Sequence, residues 1–144
     1  METASSSWIV WALLSAAFAA ATALLAKVGV AGIDSNLATA IRTSVILIFT
    51  WAIAIGLEKH NALAAIGRRS WLFLVLSGVC TGFSWLCYFR ALQLGPASSV
   101  APVDKLSVVI VILGAALFLG ERLTLMKAVG GSLIAIGAVI LALA

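Results

Sequence analysis

Five long apolar runs, separated by short polar or glycine-containing breaks, constrain the fold of this chain more than any other feature. A helix of about 20 residues, at ~1.5 Å rise per residue, covers the ~30 Å hydrocarbon core of a bilayer. Hydrophobic residues make up 64% of the 144 residues and charged residues only 10%, whereas soluble domains carry about 25% charge. The chain has too little polar surface for a water-soluble globule. We therefore predict an all-α polytopic membrane protein.

We predict a bundle of five transmembrane helices that form one domain over residues 1–144. The predicted spans cover about residues 7–28, 37–57, 70–92, 97–119 and 125–144. The first run lacks a preceding basic segment and is long for a signal peptide, so we expect it to be retained as a helix. Asp34, Ser35 and Asn36 precede the second span and Thr124 precedes the fifth, and these residue types cap helix N-termini. Pro102 lies near the start of the fourth span, which we expect to continue as one helix.

Positive charge is distributed almost evenly between the two predicted membrane faces. The face of the N-terminus carries five basic residues, and the opposite face carries four. They are Lys59, Arg68, Arg69, Arg122 and Lys127 on the first face, and Lys27, Arg42, Arg90 and Lys105 on the second. The positive-inside rule therefore favours an inside N-terminus only weakly, and insertion in both orientations stays open.

Four charged residues lie within the apolar runs or at their edges, toward the same membrane face: Arg42, Arg90, Asp104 and Lys105. Charge inside a bilayer is costly and requires a partner or a wet cavity. Arg42 lies about 9 Å along its span, and Asp104 and Lys105 lie at a similar depth. Two interpretations stay open. Either Asp104 pairs with Arg42 or Lys105 as a structural contact while the bases snorkel, or these residues form a substrate or ion site with excess positive charge.

Polar side chains of the third span recur at spacings of four, three and four residues, which places them on one helical face. They are Ser77, Thr81, Ser84 and Tyr88, with Trp85 and Phe89 beside them. Such a face can line a substrate or proton path, or it can form hydrogen bonds between helices. Under the first interpretation these residues, except Phe89, join the four charged residues as candidates for the pathway.

The sequence contains no pattern that is typical of a catalytic or metal site. His60 lies in a polar connection with no cysteine or acidic group arranged around it. Cys80 and Cys87 would be ~10 Å apart on a helix, which is too far for a disulfide. We therefore expect no enzymatic activity, no cofactor and no metal. The dispersed net charge of +4 also predicts no nucleic-acid partner.

Three motifs follow one another in the second half of the chain. The sequence reads ALQLGP over residues 91–96 and GERLT over residues 120–124, and the last helix contains Gly130, Gly131 and Gly137. With the five-helix layout, these motifs resemble the EamA-type repeat of the drug/metabolite transporter superfamily. Typical members carry two such repeats, and this sequence has one. Members also often have a proline midway along the fourth helix, where this sequence reads Leu106, Ser107, Val108.

The resemblance implies a secondary transporter of small metabolites or drugs in the plasma or inner membrane, with the lipid bilayer and a small-molecule solute as partners. Because five is odd, two fused repeats point in opposite directions across the membrane. A single repeat is then expected to act as a half-size subunit, in an antiparallel or parallel homodimer or paired with a homologous subunit. Asp104 is the proton-coupling candidate, and the bases would attract a carboxylate or phosphate. The alternative is a non-transporting scaffold or an accessory subunit of another complex.

Overall fold

The computed structural model describes residues 3–144 and divides the chain into two compact units. The middle unit comprises residues 29–93. The terminal unit joins residues from both ends of the chain, up to residue 28 and from residue 94 onward. Every regular element among the described residues is helical, and none of them is a β-strand.

Five helical spans are long and apolar enough to cross a bilayer. They are Trp8–Gly29, Ser35–Gly56, Arg68–Leu94, Ala97–Phe118 and Leu125–Leu143. The prediction of an all-α protein with five membrane-spanning helices is confirmed. The ends of the spans lie within a few residues of those expected from the sequence. The small differences arise because hydropathy locates a span but does not fix its last turn.

The middle unit contains α2 (Ser35–Gly56), a 3₁₀ helix (Lys59–Ala65) and α3 (Arg68–Leu94). Asp34 caps α2 as predicted, since its Oδ1 accepts hydrogen bonds from two amides of the first turn at 2.9 and 3.1 Å. The amide Nε2 of Gln93 donates to the carbonyl of Ile33 at 2.6 Å. This bond joins the end of α3 to the turn that precedes α2.

The terminal unit contains four helices: α1 (Thr3–Gly29), α4 (Ala97–Asp104), α5 (Ser107–Phe118) and α6 (Leu125–Leu143). Lys27 near the end of α1 donates from Nζ to the carbonyl of Gly95 at 2.8 Å. Helix α6 approaches α5 closely at Gly131, where a Cβ atom would lie 3.3 Å from Cδ1 of Ile112. The absence of a side chain at Gly131 therefore permits this close approach.

The GERLT motif forms the turn between α5 and α6. Gly120 adopts a left-handed φ of +67°, and the amide of Glu121 donates to the carbonyl of Ala115 at 3.1 Å. The hydrogen bond gives a partner to a carbonyl at the C-terminus of α5, as in a glycine C-cap. Glu121 Oε2 also pairs with Lys127 Nζ at 2.9 Å. The side chain of Thr124 accepts from the amide of Lys127 and caps α6, as predicted.

The fourth span is divided into α4 and α5 by a break at Lys105 and Leu106, which corrects the expectation of one continuous helix. Pro102 has no amide hydrogen to donate to the carbonyl four residues earlier, and its ring displaces that carbonyl. The amides of residues 105, 106, 108 and 109 instead donate to carbonyls three residues earlier, each at 3.0 Å. The backbone is therefore tightened to a 3₁₀ form at the junction of α4 and α5, and the missing amide of Pro102 weakens the helix that leads into it.

Candidate functional site

In the middle unit, Arg42 of α2 lies against two aromatic rings of α3. Its guanidinium carbon Cζ is 4.5 Å from the centroid of the Trp85 ring and 5.3 Å from that of the Phe89 ring. Trp85 and Phe89 are four residues apart on α3, so they lie on the same helical face and reach the same guanidinium. The structure thus brings together two of the predicted site residues, Arg42 and Trp85. Phe89 completes the cluster and is 3% exposed.

The contact with the rings stabilises the charge of Arg42 without neutralising it. A guanidinium over an aromatic face gains about 0.5–2 kcal/mol, with the larger values where water is excluded. Within the middle unit no carboxylate forms an ion pair with Arg42, because both ion pairs of the described residues belong to the terminal unit. Arg42 is half-buried, and a guanidinium group stays protonated in proteins.

Arg90, also predicted as a site residue, is held by a different set of contacts at the end of α3. Its Nη1 donates to Oε1 of Gln93 at 2.9 Å, and Gln93 in turn donates to the carbonyl of Ile33. The hydrogen bond from Arg90 therefore helps to orient the side chain of Gln93, which in turn joins α3 to the turn before α2. Gln93 was missed by sequence reasoning. A polar residue among apolar neighbours was the available signal, but its partner is 60 residues away.

The polar face of α3 is open along most of its length. Ser77, Thr81 and Ser84 are exposed, and Tyr88 is partly buried. The hydroxyl of Thr81 donates to the carbonyl of Ser77 at 2.9 Å, so its polarity is satisfied within its own helix. A role for this face in a substrate or proton path stays a prediction.

In the terminal unit, Asp104 and Lys105 form an ion pair at the junction of α4 and α5. Oδ2 of Asp104 is 3.1 Å from Nζ of Lys105, and the two side chains are 37% and 58% exposed, respectively. Lys105 is thus one of the two partners that the sequence proposed for Asp104. The pair lies where the backbone departs from α-helical geometry, so two charges and the irregular backbone of the break occupy one position in the span.

A cavity of about 250 Å³ lies in the middle unit, near the end of α2. It is lined by Thr50, Trp51, Ala54, Lys59, His60 and Leu63. The Nδ1 atom of His60 is buried, and no hydrogen-bond partner for it occurs among the described residues. None of the predicted site residues lines this cavity. Groups of three or more residues able to hold a metal ion do not occur in the part of the chain that the structure describes.

Comparison with known proteins agrees with the motifs in the sequence. The EamA-like transporter family matches residues 6–143. A protein from a Sinorhizobium species, named "Uncharacterized transporter in cobO 3′region", is 57% identical over 138 residues, which cover 96% of this chain and 98% of that protein. No solved structure matches the chain. The resemblance drawn from the ALQLGP and GERLT motifs is confirmed.

Proposed function

The chain belongs to the EamA-like transporter family, and on this premise we propose that it is a secondary transporter of small metabolites or drugs that acts as a half-size subunit. The observation that carries the half-size proposal is a length. The aligned 138 residues cover 98% of a relative that is itself named a transporter. That relative is therefore long enough for only about one five-helix repeat. A protein of single-repeat size is thus already named a transporter, which supports a half-size transporter subunit in this case as well.

Dimerisation follows from the odd number of spans. One repeat supplies one orientation, whereas alternating access in the family of inverted-repeat transporters uses two opposed orientations. The basic residues divide five to four between the two faces, and this balance supports insertion in both orientations. We take the antiparallel homodimer in the plasma or inner membrane as the working arrangement. A parallel homodimer and a pair with a homologous subunit are the alternatives.

Within this proposal, Asp104 couples transport to a proton. Irregular backbone at membrane depth is tolerated where it is buried in protein or lines a water-filled cavity. The break between α4 and α5 carries Asp104 and Lys105, which supports a role for both in a wet pathway. In the middle unit, Arg42, Arg90 and the polar face of α3 are the candidates for contact with the solute.

Transport by the purified protein in liposomes tests this proposal. We expect Asp104→Asn to lower proton-driven uptake by about tenfold or more, because a neutral amide cannot take up and release the proton. Glu121→Gln is the matched control, since it removes the acid of the other ion pair, at the turn after α5, and should change uptake by less than about twofold. Both variants are compared at equal amounts of inserted protein.

Two results would contradict the proposal at different levels. Uptake at the wild-type rate in both Asp104→Asn and Arg42→Ala would refute the site assignment. A wild-type protein that transports nothing alone, and that purifies only with an unrelated membrane complex, would favour the accessory-subunit alternative.

Topology mapping with a reporter fused after Ala144 tests the dimer arrangement. Two populations of C-termini, one on each side of the membrane, are expected for the antiparallel homodimer. A single population would exclude that arrangement and leave the parallel homodimer or an oppositely inserted homologous partner.

A further inference from the structure

The contacts of Arg42 with Trp85 and Phe89, here called the aromatic–arginine cluster, narrow the class of solute. We propose that this cluster binds the carboxylate or phosphate group of the transported solute, so that small organic anions are the substrate class. This inference rests on the proposed transport function. It adds the chemical group that the solute must carry and the side chains that recognise it.

Arg42 occupies a position where a charge is costly, because it lies within a membrane span. Arg42 follows the buried residues Ala38 and Thr39 on the same face of α2 and lies within the second span. Charged side chains within a span are rare, and those that occur are by default candidates for a substrate or ion pathway. An apolar residue at position 42 would fill the same face of α2 without that cost.

No carboxylate of the middle unit compensates this charge. The unit contains two acidic residues, Asp34 and Glu58. Oδ1 of Asp34 accepts hydrogen bonds from two amides in the first turn of α2. Glu58 is 16 residues beyond Arg42 and past the end of α2, which corresponds to about 24 Å along a helix. The middle unit therefore supplies no counter-charge to Arg42, and an anionic group of the solute would supply one.

The aromatic rings orient the guanidinium without using its donors. Ring faces attract the cation, whereas the five N–H donors of an arginine lie at the edges of its planar group. Those edges match the paired oxygens of a carboxylate or phosphate in a bidentate fashion. A guanidinium held by Trp85 and Phe89 loses less freedom when the anion binds, which favours affinity.

Two of the three other arginines in the middle unit, Arg90 and Arg69, show what the cluster adds. Arg90 has a donor engaged by Gln93 at 2.9 Å. Arg69 lies over a single ring, with its Cζ 5.9 Å from the centroid of Phe73, and it is exposed in the first turn of α3. Arg42 alone among these three combines two rings, partial burial and a position well inside a span.

Binding to the full chain in nanodiscs of neutral phosphatidylcholine tests the inference. The probes are radiolabelled benzoate and phenyl phosphate, with benzamide as the neutral match, and retention is measured by equilibrium dialysis. We expect the wild type to bind at least one of the anions and to bind benzamide at least about tenfold more weakly, because the amide leaves the guanidinium charge uncompensated.

The variants separate recognition from general stability. Arg42→Gln should weaken anion binding by about tenfold or more, and Arg42→Lys by less, because lysine keeps the charge but loses the fork of donors. Trp85→Leu should also weaken binding, through lost orientation. Arg69→Gln is the matched control and should stay within about twofold of the wild type. Arg42→Lys keeps the inference falsifiable if Arg42→Gln does not insert.

A second set of nanodiscs distinguishes a solute from a lipid headgroup. Phosphatidylglycerol replaces part of the phosphatidylcholine while the dialysis is repeated. Benzoate affinity that stays unchanged supports a solute site. Loss of benzoate binding in the wild type on addition of phosphatidylglycerol, in a buffer whose ionic strength screens the lipid surface charge, would assign the cluster to a lipid phosphate and overturn the inference.

Binding and transport can fail separately. Equal binding of benzamide and benzoate, or unchanged anion binding in Arg42→Gln, would overturn the anion site even if liposomes show transport of another solute. A wild type that binds benzoate with the expected dependence on Arg42, yet moves no solute across liposomes, would refute transport by a homodimer of this chain and leave the anion site standing.

Discussion

The middle and terminal units treat charge within a span in opposite ways. In the middle unit, Arg42 lies against Trp85 and Phe89 and has no carboxylate partner within that unit. In the terminal unit, Asp104 and Lys105 are adjacent in sequence and pair at 3.1 Å. The first arrangement leaves a net positive charge that can attract an anion. The second arrangement is neutral, because the charges of Asp104 and Lys105 compensate each other.

Under our proposals, solute recognition falls to Arg42 and proton coupling to Asp104. A charge held by ring faces can bind a ligand without rearrangement of the protein. In the proposed mechanism, Asp104 exchanges one partner for another when it gains or loses a proton. We therefore expect substitutions at Arg42 to change affinity and substitutions at Asp104 to change the dependence of transport on a proton gradient.

Loss of the buried ring should have the largest effect on stability. Phe89→Ala removes a side chain that is 3% exposed and contacts Arg42. We expect it to lower the free energy of unfolding by about 3 kcal/mol, the low end for buried phenylalanine, because lipid tails already solvate apolar groups and the packing term dominates. Unfolding in nanodiscs, followed by tryptophan fluorescence, measures it.

Phe83→Ala is the control for this prediction, since Phe83 lies on the same helix and is 67% exposed. Its effect should stay within about 0.5 kcal/mol. An equal decrease in the free energy of unfolding in the two variants would mean that the aromatic–arginine cluster does not contribute to the packing of α2 against α3.

The ion pairs should show a smaller effect. A double-mutant cycle with Asp104→Asn and Lys105→Gln is expected to give a coupling free energy of about 1 kcal/mol, the upper end for exposed pairs, because the pair lies within a span. The same cycle with Glu121→Gln and Lys127→Gln should give about 0.5 kcal/mol or less, since that pair lies at a turn. The same unfolding measurement applies. A larger coupling at the turn than in the span would reverse the comparison.

The contact between α5 and α6 should show the smallest effect. Alanine in a helix is favoured over glycine by about 0.5–1 kcal/mol. At Gly130 an added Cβ meets nothing within 4 Å, so Gly130→Ala should raise the unfolding free energy by about that amount. At Gly131 the added Cβ would lie 3.3 Å from Cδ1 of Ile112. The cost of this close contact should cancel the gain in unfolding free energy from the higher helix propensity of alanine. Equal stabilisation in both variants would show that α6 is not closely packed at Gly131.

Features that depend on neighbouring residues were predictable from the sequence. The Asp34 and Thr124 caps each act within three residues of their own position. Glycine, glutamate and threonine of the GERLT turn likewise act on the turn itself or on the helix ends beside it. The break after Pro102 was missed although its cause is local. The expectation had looked for a proline at residues 106–108, whereas the proline of this span, Pro102, lies inside α4 and three residues before the break.

The sequence predicted which charged and polar residues are candidates for the site, but not which residues they contact. Lys105 was one of two partners proposed for Asp104, and the structure forms this pair because the residues are adjacent. The partners of Arg42 lie 43 and 47 residues away on another helix. The rotation of α2 and α3 about their axes decides that contact, and hydropathy carries no information on rotation. The bond from Gln93 to Ile33 escaped prediction for the same reason.

The sequence by itself determined the five spans, the caps, the turn between α5 and α6 and membership of a transporter family. These follow from the cost of exposing backbone polar groups to lipid and from contacts within one or two helical turns. Only the tertiary structure decided that Arg42 lies against Trp85 and Phe89 within the middle unit. In a bilayer the hydrophobic effect does not drive helices together. Packing between particular side chains therefore selects which faces meet, and a single span does not encode that choice.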